Sequence, residues 1–289
     1  MQEPTADFGA QRSARETRLL VERLASRETH PCPVASAFEC GRIGLGSIAM
    51  YLHNIAMIAM ICERMEAKAR AYVELLLARG RHTFTRVEAE RALGSSGVAT
   101  YHSLRRLQKA GWLAMPRRGF YLIVDPEYRE LGALPAAAWI DDLMTFHGTP
   151  YYVGLLSAAS LHGAAHQQPM EFQVVAGAVL RPLTVGRVRI RFFFSRRMDV
   201  AVTERMKTSS GYIPVSTPEM TAYDLIRYRK GAGSIDHVAT VLSELAERMD
   251  ATSLLAIAKG EKMPVVQRLG YLLDLTEHSK LTEHLSKLV

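Results

Sequence analysis

The chain has 289 residues, of which 48% are hydrophobic and 22% charged, with a net charge of +7. That length exceeds one small module and suits two domains, and the composition excludes a low-complexity or disordered chain. Three cysteines, Cys32, Cys40 and Cys62, form no CxxC pair, which leaves no zinc ribbon or redox motif and fits a reducing cytosol.

The charge is unevenly placed. Residues 64–130 carry thirteen Lys/Arg against seven acids, and residues 181–207 carry eight against two, so each stretch is net +6. Basic islands on an otherwise balanced chain are how a phosphate-binding surface reads in sequence, because each neutralised phosphate releases counterions. Residues 1–62 form an N-terminal extension to which the sequence assigns no role. Met1–Arg18 is polar and is no signal peptide. The apolar run Gly44–Ile61 is near the minimum length for a membrane span but centres on His53 and Asn54. It therefore reads as a packed or oligomer-forming helix, or as sequence upstream of a start at Met60 or Met65, with membrane insertion disfavoured.

From Arg64 the pattern is regular. A first helix is expected over Met65–Gly80, with Ala69, Tyr72, Val73, Leu76 and Leu77 inward. Thr85 with Glu88 at capping-box spacing starts a short second helix to about Leu93. Gly94–Gly97 breaks it, and Ser96 caps a third helix reaching Lys109 or Ala110, closed by Gly111. Two strand-prone runs, Trp112–Met115 and Phe120–Val124, flank a turn at Pro116–Gly119 and read as a hairpin. Helix, short helix, turn, helix, hairpin is the order of a winged helix-turn-helix, expected over residues 64–130. At roughly 100° per residue, Thr100, Leu104 and Leu107 share one side of the third helix while His102, Arg105 and Arg106 share the other. A slim helix with arginines outward and small polar groups at its leading end is what reading a major groove requires. The expected DNA contacts are Ser95, Ser96, Tyr101, His102, Arg105 and Arg106, with Arg117 and Arg118 at the hairpin tip reaching the backbone or minor groove. Winged helices also serve as protein–protein modules, and that alternative stays open here.

Residues 135–289 read as a mixed α/β domain with a helical C-terminal half, making the chain α+β. Two helices are expected over 135–166, joined at Gly148-Thr149-Pro150. Strands follow at Phe172–Ala176, Val188–Phe194 and Ile213–Val215. Thr217 and Pro218 open a helix, and four more are expected at about 236–249, 252–259, 264–274 and 278–288. Arg187, Arg189, Arg191, Arg196 and Arg197 mark a second basic surface. It could extend a DNA footprint, meet an acidic partner, contact a partner's nucleic acid, or be a solvated strand face.

No catalytic set emerges. His162 and His166 have zinc-compatible spacing but lack a third ligand. Ser160 and His162 would not face each other on a helix, and Asp141-Asp142 makes a poor metal cradle. Gly231-Ala232-Gly233 lacks the residues of a phosphate loop. No enzyme activity, metal or cofactor is expected.

Three blocks carry a family resemblance. Thr100–Leu113 (TYHSLRRLQKAGWL) with Arg118–Leu122 (RGFYL), Tyr151–Gln167 (YYVGLLSAASLHGAAHQ) and Ser216–Leu225 (STPEMTAYDL) together resemble AbiEi-type antitoxins. These are transcriptional regulators of bacterial type IV, abortive-infection toxin–antitoxin systems. The resemblance covers about residues 64–289. It implies an N-terminal domain that binds double-stranded operator DNA and represses its own operon; a homodimer on that DNA is one arrangement the sequence leaves open. It also implies a C-terminal domain that counteracts a nucleotidyltransferase-like toxin without an obligatory stable complex. Two other readings compete: a stand-alone regulator whose second domain senses a ligand or partner, and a nucleotide-processing enzyme built around His162 and His166.

Overall fold

The computed structural model describes residues 45–164, 169–286 and 288. By compactness the chain divides at Ile61/Cys62. Helix α1 runs over Leu45–Ala78, so the helix expected from Met65 starts at Leu45 and absorbs most of the apolar run before it. No helix among the described residues is long and apolar enough to cross a membrane. Cys32, Cys40 and His166 lie outside the described residues.

Within Cys62–Val289, the first elements after α1 are β1 (Thr83–Thr85), α2 (Arg86–Leu93), α3 (Gly97–Lys109), β2 (Leu113–Arg117) and β3 (Phe120–Ile123). Local chemistry sets their ends. The Thr85 hydroxyl accepts from the Glu88 amide, while the Glu88 carboxylate accepts from the Thr85 amide at 2.7 Å; this reciprocal capping box starts α2. Gly94 ends it in the left-handed region at φ 57°, where only glycine sits at no steric cost. The Ser96 hydroxyl accepts from the Ala99 amide at 3.3 Å and caps α3. The turn of the hairpin is tighter than the sequence suggests. Pro116 and Arg117 belong to β2, leaving Arg118-Gly119 as the two-residue tip, and the β2–β3 register slips between Ala114 and Arg117.

The strand β1 pairs with β3, giving a three-stranded sheet in the order β1-β3-β2. All four residues of β3 are buried, because its faces serve two cores. Tyr121 and Ile123 join Val73, Phe84, Leu104 and Leu107 from the helices, with the Phe84 ring stacked on Tyr121 at 5.3 Å. Phe120 and Leu122 join Trp139, Leu143 and the strands of the second sheet. A strand covered on both sides reads as a continuous apolar run rather than an alternation.

The remaining chain folds around a six-stranded mixed sheet. Helix α4 (Ile140–His147) precedes β4 (Tyr151–Val153), α5 (Leu155–Leu161), β5 (Phe172–Ala176), β6 (Leu183–Val185), β7 (Val188–Phe194), β8 (Thr203–Lys207) and β9 (Tyr212–Ser216). The strand order is β6-β7-β5-β4-β9-β8. Where two helices were expected over 135–166, the structure has α4, a strand and α5: Tyr151–Val153 pairs antiparallel with Val174–Ala176 and parallel with β9. The helices α6 (Pro218–Arg227), α7 (Arg229–Ala232), α8 (Ile235–Ala246), α9 (Ala251–Ala258), α10 (Met263–Leu275) and α11 (Ser279–Leu285) complete the chain. Thr217 caps α6 with Pro218 in its first turn, as expected. Alternation along the strands separates two layers. Val153, Val174 and Val215 face α4 and the hairpin, whereas Tyr152 and Val175 face Leu155, Tyr223, Leu242 and Leu269 of the helical layer.

Candidate nucleic-acid interface

Helix α3 is held from behind and open in front. Thr100, Ser103, Leu104 and Leu107 are buried, and the Ser103 hydroxyl returns a bond to the Ala99 carbonyl. The Arg86 guanidinium bridges α2 to the start of α3, donating to Glu90 at 2.7 Å and to the Gly97 carbonyl at 3.2 Å. On the outer side Tyr101, His102, Arg105 and Lys109 are exposed, and Ser96 stands exposed at the leading end. Lys109 is an addition that the same helical angles would have found.

Three of the expected contacts have other engagements. Ser95 is half-buried with its hydroxyl 2.8 Å from that of Thr100. Arg106 is half-buried on the flank facing α1, its Nε at ion-pair distance, 3.5 Å, from Glu66. It is a flank residue rather than part of the open face. Arg117 is also half-buried and donates from Nη2 to the Arg181 carbonyl at 2.6 Å, so the exposed cation at the hairpin tip is Arg118. His147, at the end of α4, is held below its ordinary pKa, first by burial and then by the charge of Arg117.

The five arginines expected to form a second surface divide into two groups. Arg187 and Arg189 are exposed in the β6–β7 turn and at the start of β7, next to β6, the strand that packs against the hairpin strand β2. Arg196 and Arg197 follow the far end of β7, roughly 20 Å further along a strand of this length. Arg197 faces Glu261 at 3.5 Å. Between them Arg191 is half-buried, 3.7 Å from Glu171 and over the Phe193 ring.

Three of the residues searched for catalysis, His162, Asp141 and Asp142, are engaged within the fold. His162 caps the end of α5, is buried, and places Nε2 at 2.7 Å from the Ser216 carbonyl. Asp141 accepts from Tyr151 and Asp142 from Thr83, the latter tying α4 to β1. No group of three or more potential metal ligands occurs among the described residues.

The class is thus an α+β protein in which a compact helix-and-hairpin module with an exposed basic helix precedes a mixed sheet layered with helices. The chain belongs to the AbiEi antitoxin family: residues 72–124 match the family described as "Transcriptional regulator, AbiEi antitoxin", and residues 152–275 match the "AbiEi antitoxin C-terminal domain". Among solved structures it resembles the Rv2827c protein from Mycobacterium tuberculosis, with a TM-score of 0.59 at 16% identity over 76% of this chain and 81% of that one. At that identity the likeness is one of fold. An antigenic nucleotidyltransferase-like protein from Paracoccidioides brasiliensis aligns with a TM-score of 0.35 at 10% identity, over 56% of this chain and 94% of that one, which is too low to carry an argument. No curated protein sequence matches the chain.

Proposed function

We propose that the protein is a DNA-binding transcriptional repressor and the antitoxin of a type IV, abortive-infection system, acting in the cytoplasm. Residues 64–130 serve as a winged helix-turn-helix that reads double-stranded operator DNA, as a homodimer on a symmetric site. Helix α3 enters the major groove, and Arg118 at the tip of the hairpin meets the backbone or minor groove. Arg187 and Arg189, around the turn after β6, continue the phosphate-binding surface onto the second domain. Residues 135–289 counteract a nucleotidyltransferase-like toxin without requiring a stable complex. The observation that carries this reading is the division of α3: leucines and small residues hold one side, and His102, Arg105 and Lys109 are exposed on the other.

The test is a gel-shift assay with the DNA upstream of the gene at two salt concentrations, run beside a growth assay with the neighbouring toxin gene. Arg105→Ala should lose operator binding and keep neutralisation. Binding that survives Arg105→Ala, or loss of both activities from a folded variant, would sink the two-domain reading.

A further inference from the structure

Where the small module meets the second domain, the C-terminal end of α3, the hairpin strand β2, β6 and the turn after it line an open cleft of about 350 Å³. That is the lower end of the size range of small-molecule sites. Its walls carry one cation, Arg129, and no carboxylate; Gln108 and Thr184 add an amide and a hydroxyl. Gly132 and Gly186 fix the far wall by main-chain contact, since a Cβ on Gly186 would lie 2.0 Å from the Leu131 carbonyl oxygen. The Arg187 amide donates to that same carbonyl at 2.8 Å.

Arg129 is exposed yet held. Its guanidinium lies 4.5 Å from the centre of the Trp112 ring, which also carries the Arg70 guanidinium at 4.2 Å. Stacking fixes the plane of a guanidinium and leaves its N–H edge available for hydrogen bonding. Neither arginine has a carboxylate at ion-pair distance among the described residues. Two guanidinium groups thus share one indole, and the one that lines the cleft, Arg129, has no ion pair there among the described residues. We propose that this cleft binds a small oxyanion compound, a carboxylate or a phosphate, with Arg129 as its charged anchor and Gln108 and Thr184 as hydrogen-bonding partners. The bound compound touches α3, β2 and β6 together. This inference is independent of the DNA reading, and its test uses no DNA.

Trp112 supplies the signal. The other tryptophan, Trp139, is buried, with its indole N–H donated to the Leu134 carbonyl at 3.0 Å. The full-length protein is titrated with inorganic phosphate and, separately, with citrate at constant ionic strength, following tryptophan fluorescence. A saturable change with at least one probe is expected, and the probe that saturates tells phosphate from carboxylate. Arg129→Ala and Thr184→Glu, both at exposed positions, should each weaken binding by roughly tenfold or more, with folding checked by circular dichroism. The Arg105→Ala titration should match the wild type. No saturable change with either probe, an unchanged midpoint in Arg129→Ala or Thr184→Glu, or loss of the signal in Arg105→Ala would each overturn the proposal.

Discussion

The Arg117 guanidinium and the main-chain carbonyl of Arg181 are joined by a 2.6 Å hydrogen bond, the side chain reaching from the hairpin of the first module to the loop before β6. A residue expected to touch DNA is thereby engaged within the protein, and its neighbour Arg118 is the exposed cation of the turn.

Replacing Arg118 with alanine should therefore weaken DNA binding almost equally across sequences and reduce the slope of log affinity against log salt by about one. Arg117→Ala should leave that slope nearly unchanged. Fluorescence anisotropy with operator and scrambled duplexes at several salt concentrations measures both, and equal slope changes for the two variants would contradict the assignment.

The open and flank positions of α3 should separate in the same way. Arg105→Ala is expected to cost about 1–3 kcal/mol of operator affinity and to relax sequence preference at one base pair. Arg106→Ala should cost about 1 kcal/mol or less, since its guanidinium is paired with Glu66. A larger loss for Arg106 than for Arg105 would mean that α3 presents a different side to the duplex.

Gly186 is irreplaceable on two counts. Its φ is +55°, and an added Cβ would collide with the Leu131 carbonyl oxygen. Gly186→Ala should lower stability by at least about 2 kcal/mol, read as a drop in the denaturant midpoint. A change below about 0.5 kcal/mol would show that the junction gives way easily.

Burial of Asp224 imposes a pH dependence. Its carboxyl is pushed up to about 7 by complete burial, against the pull of Arg227, which donates to it at 2.7 Å. The unfolded chain releases this proton near 3.8, so between those values the native state holds more protons than the unfolded one. The contribution is fully present below the unfolded value and is lost as pH rises through 7. Asp224→Asn cannot titrate. The difference in unfolding free energy, wild type minus Asp224→Asn, should fall by more than about 1 kcal/mol between about pH 5 and about pH 8. A difference that stays flat would place the carboxyl in its ordinary range.

The helix starts were legible because their chemistry is complete within four residues: Thr85 with Glu88, Ser96 with Ala99, Thr217 with Met220. The order from α2 to β3 could be read for the same reason. The strand Tyr151–Val153 could not, since three residues between Pro150 and Gly154 have no period of their own. It becomes a strand through partners at Val174–Ala176 and Val215. Polar β8 was missed because four of its five residues are exposed, leaving no buried alternation to detect. Helical angles placed Arg106 on a side of α3 but could not supply Glu66 from another helix. The Arg70–Trp112–Arg129 stack likewise draws on three separate segments.

Pro116 has a consequence for how the two halves relate. It lies in β2, the outer strand of the small sheet, where the ladder also slips a register. Without an amide hydrogen it cannot extend the ladder toward β6, the neighbouring edge strand of the larger sheet. The two sheets therefore abut without merging: Phe120 and Leu122 enter the core in front of the larger sheet, and Arg117 bonds the loop before β6. Because that seam is a shared apolar core, the strands behind it set the direction in which the front piece points.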